Sequence, residues 1–233
     1  MTDEMKEMMK EIDKLLQETD KKINLSFDEW NVWYHSNEAD TKIEWWQHAP
    51  HMLEDIYNFE DALLVGSLLI TLLKNCDRVK IACLAQLVNV IAPIMTNENG
   101  IWLQSTYYPY MQVSNFGKGT CLNTKVDVDT YKSREFDEVP YLDAIATLNE
   151  KENELIIFAV NKNQNEKIEF ETNIDNIKPE KIIEATQFFG YDVKQTNEDQ
   201  SMELQNLSVD VTENKISTSL EPLSWNMIRI KVI

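Results

Sequence analysis

The sequence predicts a chain in two parts, an α/β segment followed by an antiparallel β-sandwich. Up to about residue 96 the chain alternates helix, strand, helix and strand, an order typical of parallel strands joined by helices. Beyond Asn115–Gly119 it consists of short alternating strands separated by polar clusters, which is typical of a sandwich. We therefore predict an α/β segment over residues 1–115 and a β-sandwich over residues 116–233.

The α/β segment begins with a predicted amphipathic helix, because its apolar residues recur at helical spacing. This stripe consists of Met5, Met8, Met9, Ile12, Leu15 and Leu16. Ile23 to Phe27 is a short apolar run and predicts a buried strand. The helix EDALLVGSLLITLLKNC is apolar on nearly every side, and the run that follows it, ended by Pro93, predicts a second interior strand. Two strands cannot form a covered parallel sheet, so we expect this segment to be part of a larger α/β domain.

The strands of the sandwich are predicted from short alternating segments. DAIATLN and ELIIFAV flank the turn EKEN, and KIEFET, KIIEATQFF, LSVDVT, KISTSL and WNMIRIKV follow. We find no internal repeat and no low-complexity linker.

The composition narrows the possible partners. A formal charge of -18 repels phosphate backbones and anionic membrane surfaces, so neither nucleic acid nor membrane is an expected partner. Such a charge most often means a soluble surface, and it is compatible with a neutral sugar ligand. The three cysteines have neither metal-like nor disulfide-like spacing and are expected to be buried free thiols. With an N-terminus that does not resemble a signal peptide, they suggest the cytoplasm.

The motif that carries chemistry is SFDEWNVWYH, residues 26–35, in which a strand ends on two acids followed by aromatic residues. Strand ends at the carboxyl mouth of a parallel barrel present side chains to an active site. Carboxylates beside aromatic rings suit sugar cleavage, because rings stack on sugar faces while a carboxylate attacks the anomeric carbon. By itself the acidic pair is more often a helix cap or a solvated turn.

Four motifs in one order, LSFDEWNVWY, AQLVNVIAPIMT, IWLQSTYYPY and VPYLDAIATLNE, resemble glycoside hydrolase family 51, the intracellular α-L-arabinofuranosidases. The resemblance extends from about residue 5 to residue 232. It implies the C-terminal portion of a (β/α)₈ barrel followed by a jelly-roll-like sandwich. It also implies a retaining hydrolase that releases terminal non-reducing α-L-arabinofuranosyl residues from arabinan- or arabinoxylan-derived oligosaccharides.

The resemblance also assigns roles to individual residues. Glu29 occupies the position of the family's nucleophile at the end of the seventh barrel strand, Trp33 that of an aromatic residue lining the sugar pocket, and Gln86 that of a glutamine on the eighth strand that binds arabinose hydroxyls. Asn89 is a weaker substrate-binding candidate on the same element. The competing interpretations are a core tryptophan for Trp33 and a buried, backbone-satisfied glutamine for Gln86. Asp28 is predicted to be a structural hydrogen-bonding residue.

No metal and no cofactor are expected. His48 and His51 flank a proline without helical spacing and without a third ligand nearby in the sequence. Family chemistry of this kind needs no metal.

Retaining hydrolysis requires a second carboxyl group as acid/base. In the family it is a Glu preceded by Asn on the fourth strand, and no Asn-Glu pair precedes Glu29 in this sequence. The pairs Asn149-Glu150 and Asn153-Glu154 are assigned to a hairpin turn of the sandwich. A split or frameshifted gene, an excised piece, or a half-enzyme complemented by an N-terminal half would each account for this, and the alternatives stay open. We expect the chain alone to be inactive.

Two other functions remain open. The chain could be a non-catalytic remnant whose sandwich binds carbohydrate or serves assembly, or it could descend from a different retaining glycosidase. The family implies a homo-oligomer. We also expect self-association through exposed apolar stripes on the first helix and on Ala62–Leu73.

Overall fold

The computed structural model describes residues 2–17, 23–33, 41–44, 46–48, 50, 52–174 and 177–233. Its helices are α1 (Thr2–Gln17), α2 (Phe59–Lys74) and α3 (Tyr107–Phe116). The strands before α3 are β1 (Leu25–Trp30), β2 (Val79–Leu84), β3 (Ile94–Asn97) and β4 (Gly100–Leu103). The strands after α3 are β5 (Thr120–Cys121), β6 (Thr130–Tyr131), β7 (Val139–Pro140), β8 (Leu142–Asn149), β9 (Glu154–Asn161), β10 (Ile168–Asn173), β11 (Pro179–Phe188), β12 (Gln205–Asn206), β13 (Asp210–Thr212), β14 (Lys215–Leu220) and β15 (Ser224–Val232). Within these residues no helix is both long and apolar enough to cross a bilayer.

The N-terminal part contains one parallel strand pair, as predicted. β1 pairs with β2, and α2 connects them. The prediction that these strands are buried was wrong. Ile23, Ser26 and Ile81 are exposed, because the described residues give each strand only one neighbour. β2 also ends at Leu84, well before Pro93, and the chain then forms an irregular loop and the β3–β4 hairpin.

Helix α2 is buried along most of its length. A capping box begins it: the Asn58 side chain accepts from the Asp61 N–H, and the Asp61 carboxylate accepts from the Asn58 N–H. Ala62, Leu68 and their neighbours are almost fully covered, so the expected exposed stripe over Ala62–Leu73 is absent. Helix α1 does show uncovered apolar residues, Met8 and Leu15, beside its buried Met5 and Met9.

The C-terminal part consists of two main antiparallel sheets. One has six strands in the order β12-β11-β15-β9-β8-β5, and the other has three in the order β10-β14-β13. Ala144, Ile157 and Ile228 pack toward the three-stranded sheet. Ile145, which follows Ala144, and Phe158, which follows Ile157, lie on the opposite face of the sheet. They pack against the helices. The six-stranded sheet is therefore covered on both faces, which explains why β8 and β9 are almost continuously buried.

The helices and the six-stranded sheet share one core. Gly66 of α2 lies against Trp225, so close that an added Cβ would sit 2.6 Å from its ring. The Trp225 indole donates to Gln112 of α3 at 2.7 Å, and the Gln112 amide donates to Thr186 of β11 at 2.8 Å. The Arg229 guanidinium lies 3.9 Å above the ring of Phe116. The division of the chain at residue 115 stays a prediction.

Candidate active site at the end of strand β1

The chain alternates between core and solvent at the end of β1. Trp30 and Val32 are buried against the helices, whereas Glu29 and Trp33 are exposed. The Trp33 side chain is 58% exposed, which contradicts the alternative of a core tryptophan. Glu29 and Trp33 therefore lie on the open side of the strand.

A β-bulge sets the position of Glu29. Phe27 pairs with Ala82 and Trp30 pairs with Leu84. Between these two pairs β1 advances by three residues and β2 by two, so β1 contains one extra residue. The backbone of Glu29 has φ 54°, in the left-handed region that residues other than glycine rarely adopt. Bulges re-aim side chains and occur often beside active sites, and unusual φ values persist where the surrounding structure enforces them.

Asn31, in the same motif, hydrogen-bonds the turn that carries Glu29 to the loop after β2. The Asn31 amide nitrogen donates to the Ala85 carbonyl at 2.7 Å and to the Ile91 carbonyl at 2.6 Å, and its oxygen accepts from the Val32 N–H at 2.8 Å. The Ala85 N–H also donates to the Trp30 carbonyl at 3.1 Å. These bonds bring the turn that carries Glu29 beside Gln86.

Gln86 lies in the loop just after β2 rather than on the strand. Its side chain is exposed, and within the described residues it makes no hydrogen bond, so the alternative of a buried, backbone-satisfied glutamine is wrong. Its backbone N–H donates to the Ile91 carbonyl at 3.2 Å, and the Ala85–Gln86 peptide is cis. The Gln86 amide is therefore available to a ligand.

Asn89 supports the hairpin that follows. Its amide oxygen accepts from the Thr96 N–H at 2.7 Å, and its amide nitrogen lies 3.1 Å from the Thr96 hydroxyl. Asp28 is exposed and accepts from the Ser26 hydroxyl at 2.8 Å, which confirms the prediction that it is a hydrogen-bonding residue.

A second layer of polar residues supports both loops. The Tyr57 hydroxyl donates to the Val32 carbonyl at 3.2 Å. Gln104, almost fully buried, accepts from the Tyr57 N–H and donates to the carbonyls of Asp55 and Ala92. Sequence reasoning did not identify Asn31 or Gln104. Asn31 is a polar residue between two apolar ones in an extended run, and this pattern could have indicated its supporting role. The sequence around Gln104 contains no comparable signal.

The Asn-Glu pairs interpreted as decoys belong to the sandwich. Glu150–Asn153 forms the turn between β8 and β9, and Glu154 pairs with Arg229 at 2.9 Å. His48 is exposed, and His51 lies outside the described residues. Across the described part of the chain, no group of three or more metal-binding side chains is found.

The sequence comparisons give one family. Residues 28–224 match the model of the α-L-arabinofuranosidase C-terminal domain. The chain is 51% identical over 215 residues to the intracellular exo-α-(1→5)-L-arabinofuranosidase 1 of Bacillus subtilis, covering 91% of this chain and 43% of that protein. It is 43% identical to the corresponding enzyme of Acetivibrio thermocellus, with 90% and 43% covered.

The solved structures agree with the sequences. A family 51 α-L-arabinofuranosidase from Bifidobacterium longum superposes with a TM-score of 0.88 at 32% identity, over 98% of this chain and 47% of that one. The Thermotoga maritima α-L-arabinofuranosidase, at 24% identity and a TM-score of 0.79, supports the fold alone. The chain thus spans less than half the length of the relatives that it matches.

Proposed function

The chain belongs to the α-L-arabinofuranosidases of glycoside hydrolase family 51, corresponding to their C-terminal part, and we propose that it supplies the nucleophile half of a retaining exo-acting enzyme. The observation that supports the proposal is the bulge at Glu29, which leaves this carboxylate exposed in a turn whose neighbour Trp30 is hydrogen-bonded to Ala85, the residue before Gln86. The substrate would be a terminal arabinofuranosyl unit of an arabino-oligosaccharide, as the names of the relatives indicate.

In the proposed reaction Glu29 attacks the anomeric carbon, and the bond from that carbon to the leaving oxygen breaks. A second carboxylic acid protonates the leaving oxygen and then, as a base, activates the water that releases arabinose. The Gln86 amide binds sugar hydroxyls, and the Trp33 ring stacks against the sugar or the leaving group. Asn89 acts indirectly, by shaping the hairpin behind Gln86. No step requires a metal or cofactor.

The acid/base is proposed to come from polypeptide outside these 233 residues, because no Asn-Glu pair precedes Glu29. The two carboxyl groups would stand about 5 to 5.5 Å apart, as retention requires. A complementing N-terminal half, whether a separate chain or a preceding part of the same chain, would provide it. Because the relatives are named intracellular enzymes, we also propose a cytoplasmic location.

The test joins this chain to the segment that precedes the matched region in the Bacillus subtilis relative. We expect the isolated chain to show no turnover of an aryl α-L-arabinofuranoside and the fusion to show turnover. Glu29→Gln should lower kcat of the fusion by about 10³-fold or more, because the nucleophile is lost. The matched control is Asp28→Asn, which removes the neighbouring exposed carboxylate and should cost about tenfold at most. Turnover by the isolated chain, abolished by Glu29→Gln, would overturn the proposed division of labour.

Carbohydrate binding by the sandwich has one supporting observation. A cleft of about 520 Å³ beside β11, β12 and β14 is lined by amide, hydroxyl and carboxylate side chains, including Gln205, Asn206 and Ser217, together with Phe189. Calorimetric titration with arabino-oligosaccharides separates the two functions. Binding that survives Glu29→Gln and disappears in Phe189→Ala favours the sandwich, whereas the reverse pattern favours the site at β1.

A further inference from the structure

Buried amide side chains, rather than thiols, are the polar groups outside the candidate active site that hold separate segments together. Cys83 is exposed, and Cys76 and Cys121 are half-buried, which corrects the expectation of buried thiols. Gln104 and Gln112, in contrast, are almost inaccessible to solvent, and each forms hydrogen bonds through both its amide oxygen and its amide nitrogen. The two glutamines differ in what they join: Gln112 connects α3 to the six-stranded sheet, whereas Gln104 connects loops of the candidate site.

The Gln104 side chain joins two segments that have no regular secondary structure. Its amide nitrogen donates to the Asp55 carbonyl at 2.9 Å and to the Ala92 carbonyl at 2.7 Å, and its amide oxygen accepts from the Tyr57 N–H at 2.7 Å. Both amide hydrogens are therefore used. The backbone N–H of Gln104 also donates to the Pro93 carbonyl at 2.8 Å. A buried amide bonded in this way fixes its neighbours, because any displacement leaves a buried backbone group unpaired.

One path leads through Ala92 to the turn that carries Glu29. The carbonyl of Ile91, the residue before Ala92, accepts from the Asn31 amide at 2.6 Å and from the Gln86 N–H at 3.2 Å. Ile91 has φ 41°, in the left-handed region, and such a conformation persists where the surrounding structure enforces it. The bond to the Ala92 carbonyl therefore supports the segment to which both the Glu29 turn and Gln86 are attached.

The second path leads through Tyr57 to the residue before Trp33. Tyr57 is fully buried, its N–H donates to the Gln104 oxygen, and its hydroxyl donates to the Val32 carbonyl at 3.2 Å. The Val32 N–H in turn donates to the Asn31 oxygen at 2.8 Å. The two paths thus meet on the short segment that directly follows the candidate nucleophile.

Gln104 is itself held in place from the sandwich. It lies between β4, which ends at Leu103, and α3. The Leu103 carbonyl accepts from the amide nitrogen of Asn197 at 2.8 Å, and the Asn197 oxygen accepts from the Met202 N–H at 2.7 Å. Asn197 is almost fully buried. The loop between β11 and β12 therefore fixes the backbone that carries Gln104.

From these contacts we propose that Gln104 is a positioning residue for catalysis, which acts through Ala92 and Tyr57 to hold the Glu29 turn and Gln86 in the geometry of attack. The inference rests on the proposed function of Glu29. Because Gln104 is buried behind the site, its loss should slow the chemical step more than it weakens substrate binding. A displacement of the reacting groups by about 1 Å can lower a rate by about 10²-fold.

The experiment compares Gln104→Leu with Gln112→Leu in the fusion of this chain with the preceding segment of the Bacillus subtilis relative. Both changes remove a buried amide of the same size, and the Gln112 amide bonds to Trp225 and Thr186 of the sandwich. We expect both variants to lower the midpoint of thermal unfolding. Gln104→Leu alone should lower kcat on an aryl α-L-arabinofuranoside, by about 10- to 100-fold, with KM changed by less than about threefold.

Gln104→Glu adds a pH readout that a purely structural role would not move. An ionised carboxylate can accept from the Tyr57 N–H but cannot donate to the two carbonyls, whereas the protonated acid can donate to one of them. The kcat of this variant relative to the wild type, measured well below the unfolding midpoint, should therefore rise about threefold or more as the pH is lowered from about 8 to about 5. This variant also decides the question if Gln104→Leu does not fold.

Failure of this role and failure of the proposed function give different results. A fusion that is inactive, or whose turnover survives Glu29→Gln, contradicts the proposed function and the positioning role with it. If the fusion is active and Glu29→Gln abolishes turnover, two results overturn the positioning role alone. One is a kcat of Gln104→Leu equal to that of Gln112→Leu, and the other is a relative kcat of Gln104→Glu that does not change with pH.

Discussion

The six-stranded sheet and the β1–β2 pair differ in what covers them. The first has helices on one face and a second sheet on the other, and its central residues are almost inaccessible to solvent. The second carries the candidate nucleophile but leaves Ile81 of β2 54% exposed. Stability and chemistry are thus separated: the covered sheet holds the fold together, while the uncovered pair presents side chains and relies on hydrogen bonds for its geometry.

The largest effect on stability is expected at Trp225 in the covered region. Its side chain is fully buried, stacks on Phe158 at 5.7 Å between ring centroids and donates to Gln112. Trp225→Ala should lower the free energy of unfolding by about 3–5 kcal/mol in urea denaturation.

The matching change in the uncovered region is Ile81→Ala. In the isolated chain it should lower the free energy of unfolding by less than about 1 kcal/mol. In the fusion with the preceding segment the same change should cost more, because the larger α/β domain that we expect would give β2 a second neighbour. Equal costs of Ile81→Ala and Trp225→Ala in the isolated chain would contradict the separation.

A pH effect is expected at Asp61, where α2 enters the covered core. Burial raises the pKa of this carboxyl to about 6, with a smaller contribution from Glu60, while the hydrogen bond from Asn58 lowers it. Because the folded state then binds more protons than the unfolded state between pH 4 and pH 6, its stability falls as pH rises through that window. The loss should be about 2–3 kcal/mol and complete above about pH 7.

Asp61→Asn should remove that slope, because the amide is neutral yet can still accept from the Asn58 N–H. Asp61→Ala removes the slope as well but also loses the bond from the Asn58 N–H, at about 1 kcal/mol at every pH. The midpoints of urea unfolding, measured for both variants between pH 4 and pH 8, give the pH slope and the pH-independent loss of stability. A slope in Asp61→Asn as steep as in the wild type would rule out this carboxyl as the cause.

A smaller effect is expected at Asn31, which joins the two loops of the uncovered pair. Asn31→Ala leaves the carbonyls of Ala85 and Ile91 without this donor and should lower the unfolding free energy by about 1–3 kcal/mol. Asn31→Asp keeps the acceptor for the Val32 N–H but places a carboxylate against two carbonyls, so it should cost more than alanine. In the fusion both variants should lower kcat more than they raise KM, since they misplace Glu29. A loss of stability without any loss of kcat would limit Asn31 to a structural role.

The same contrast explains what the sequence could predict. DAIATLN and ELIIFAV were predicted as short alternating strands of the sandwich, and they form β8 and β9, which are buried on both faces. The apolar runs of β1 and β2 suggested burial on both faces, but within the described residues only one face packs on the core, and residues such as Ile81 stay exposed. An apolar run indicates that a covering partner is required, and it does not identify which polypeptide provides the partner.

Two further features were beyond local sequence signals. Helix α3 was not predicted from the sequence, and Pro109 lies in its first turn, where a missing N–H costs nothing. The hydrogen bonds of Gln104 to the loops that it supports join residues far apart in sequence and depend on the tertiary fold. Glu29, Trp33 and Gln86 were identified through motif resemblance, and their roles stay proposals.

The central claim, that Glu29 is the nucleophile, is tested most directly by trapping the glycosyl-enzyme. The active fusion is incubated with an activated 2-fluoro arabinofuranoside, which slows release of the covalent intermediate, and is digested for mass spectrometry. We predict one fluoropentosyl unit on the peptide that contains Glu29, and none on that peptide in the Glu29→Gln fusion. A label on any other carboxylate of an active fusion, or undiminished turnover after Glu29→Gln, would contradict the claim.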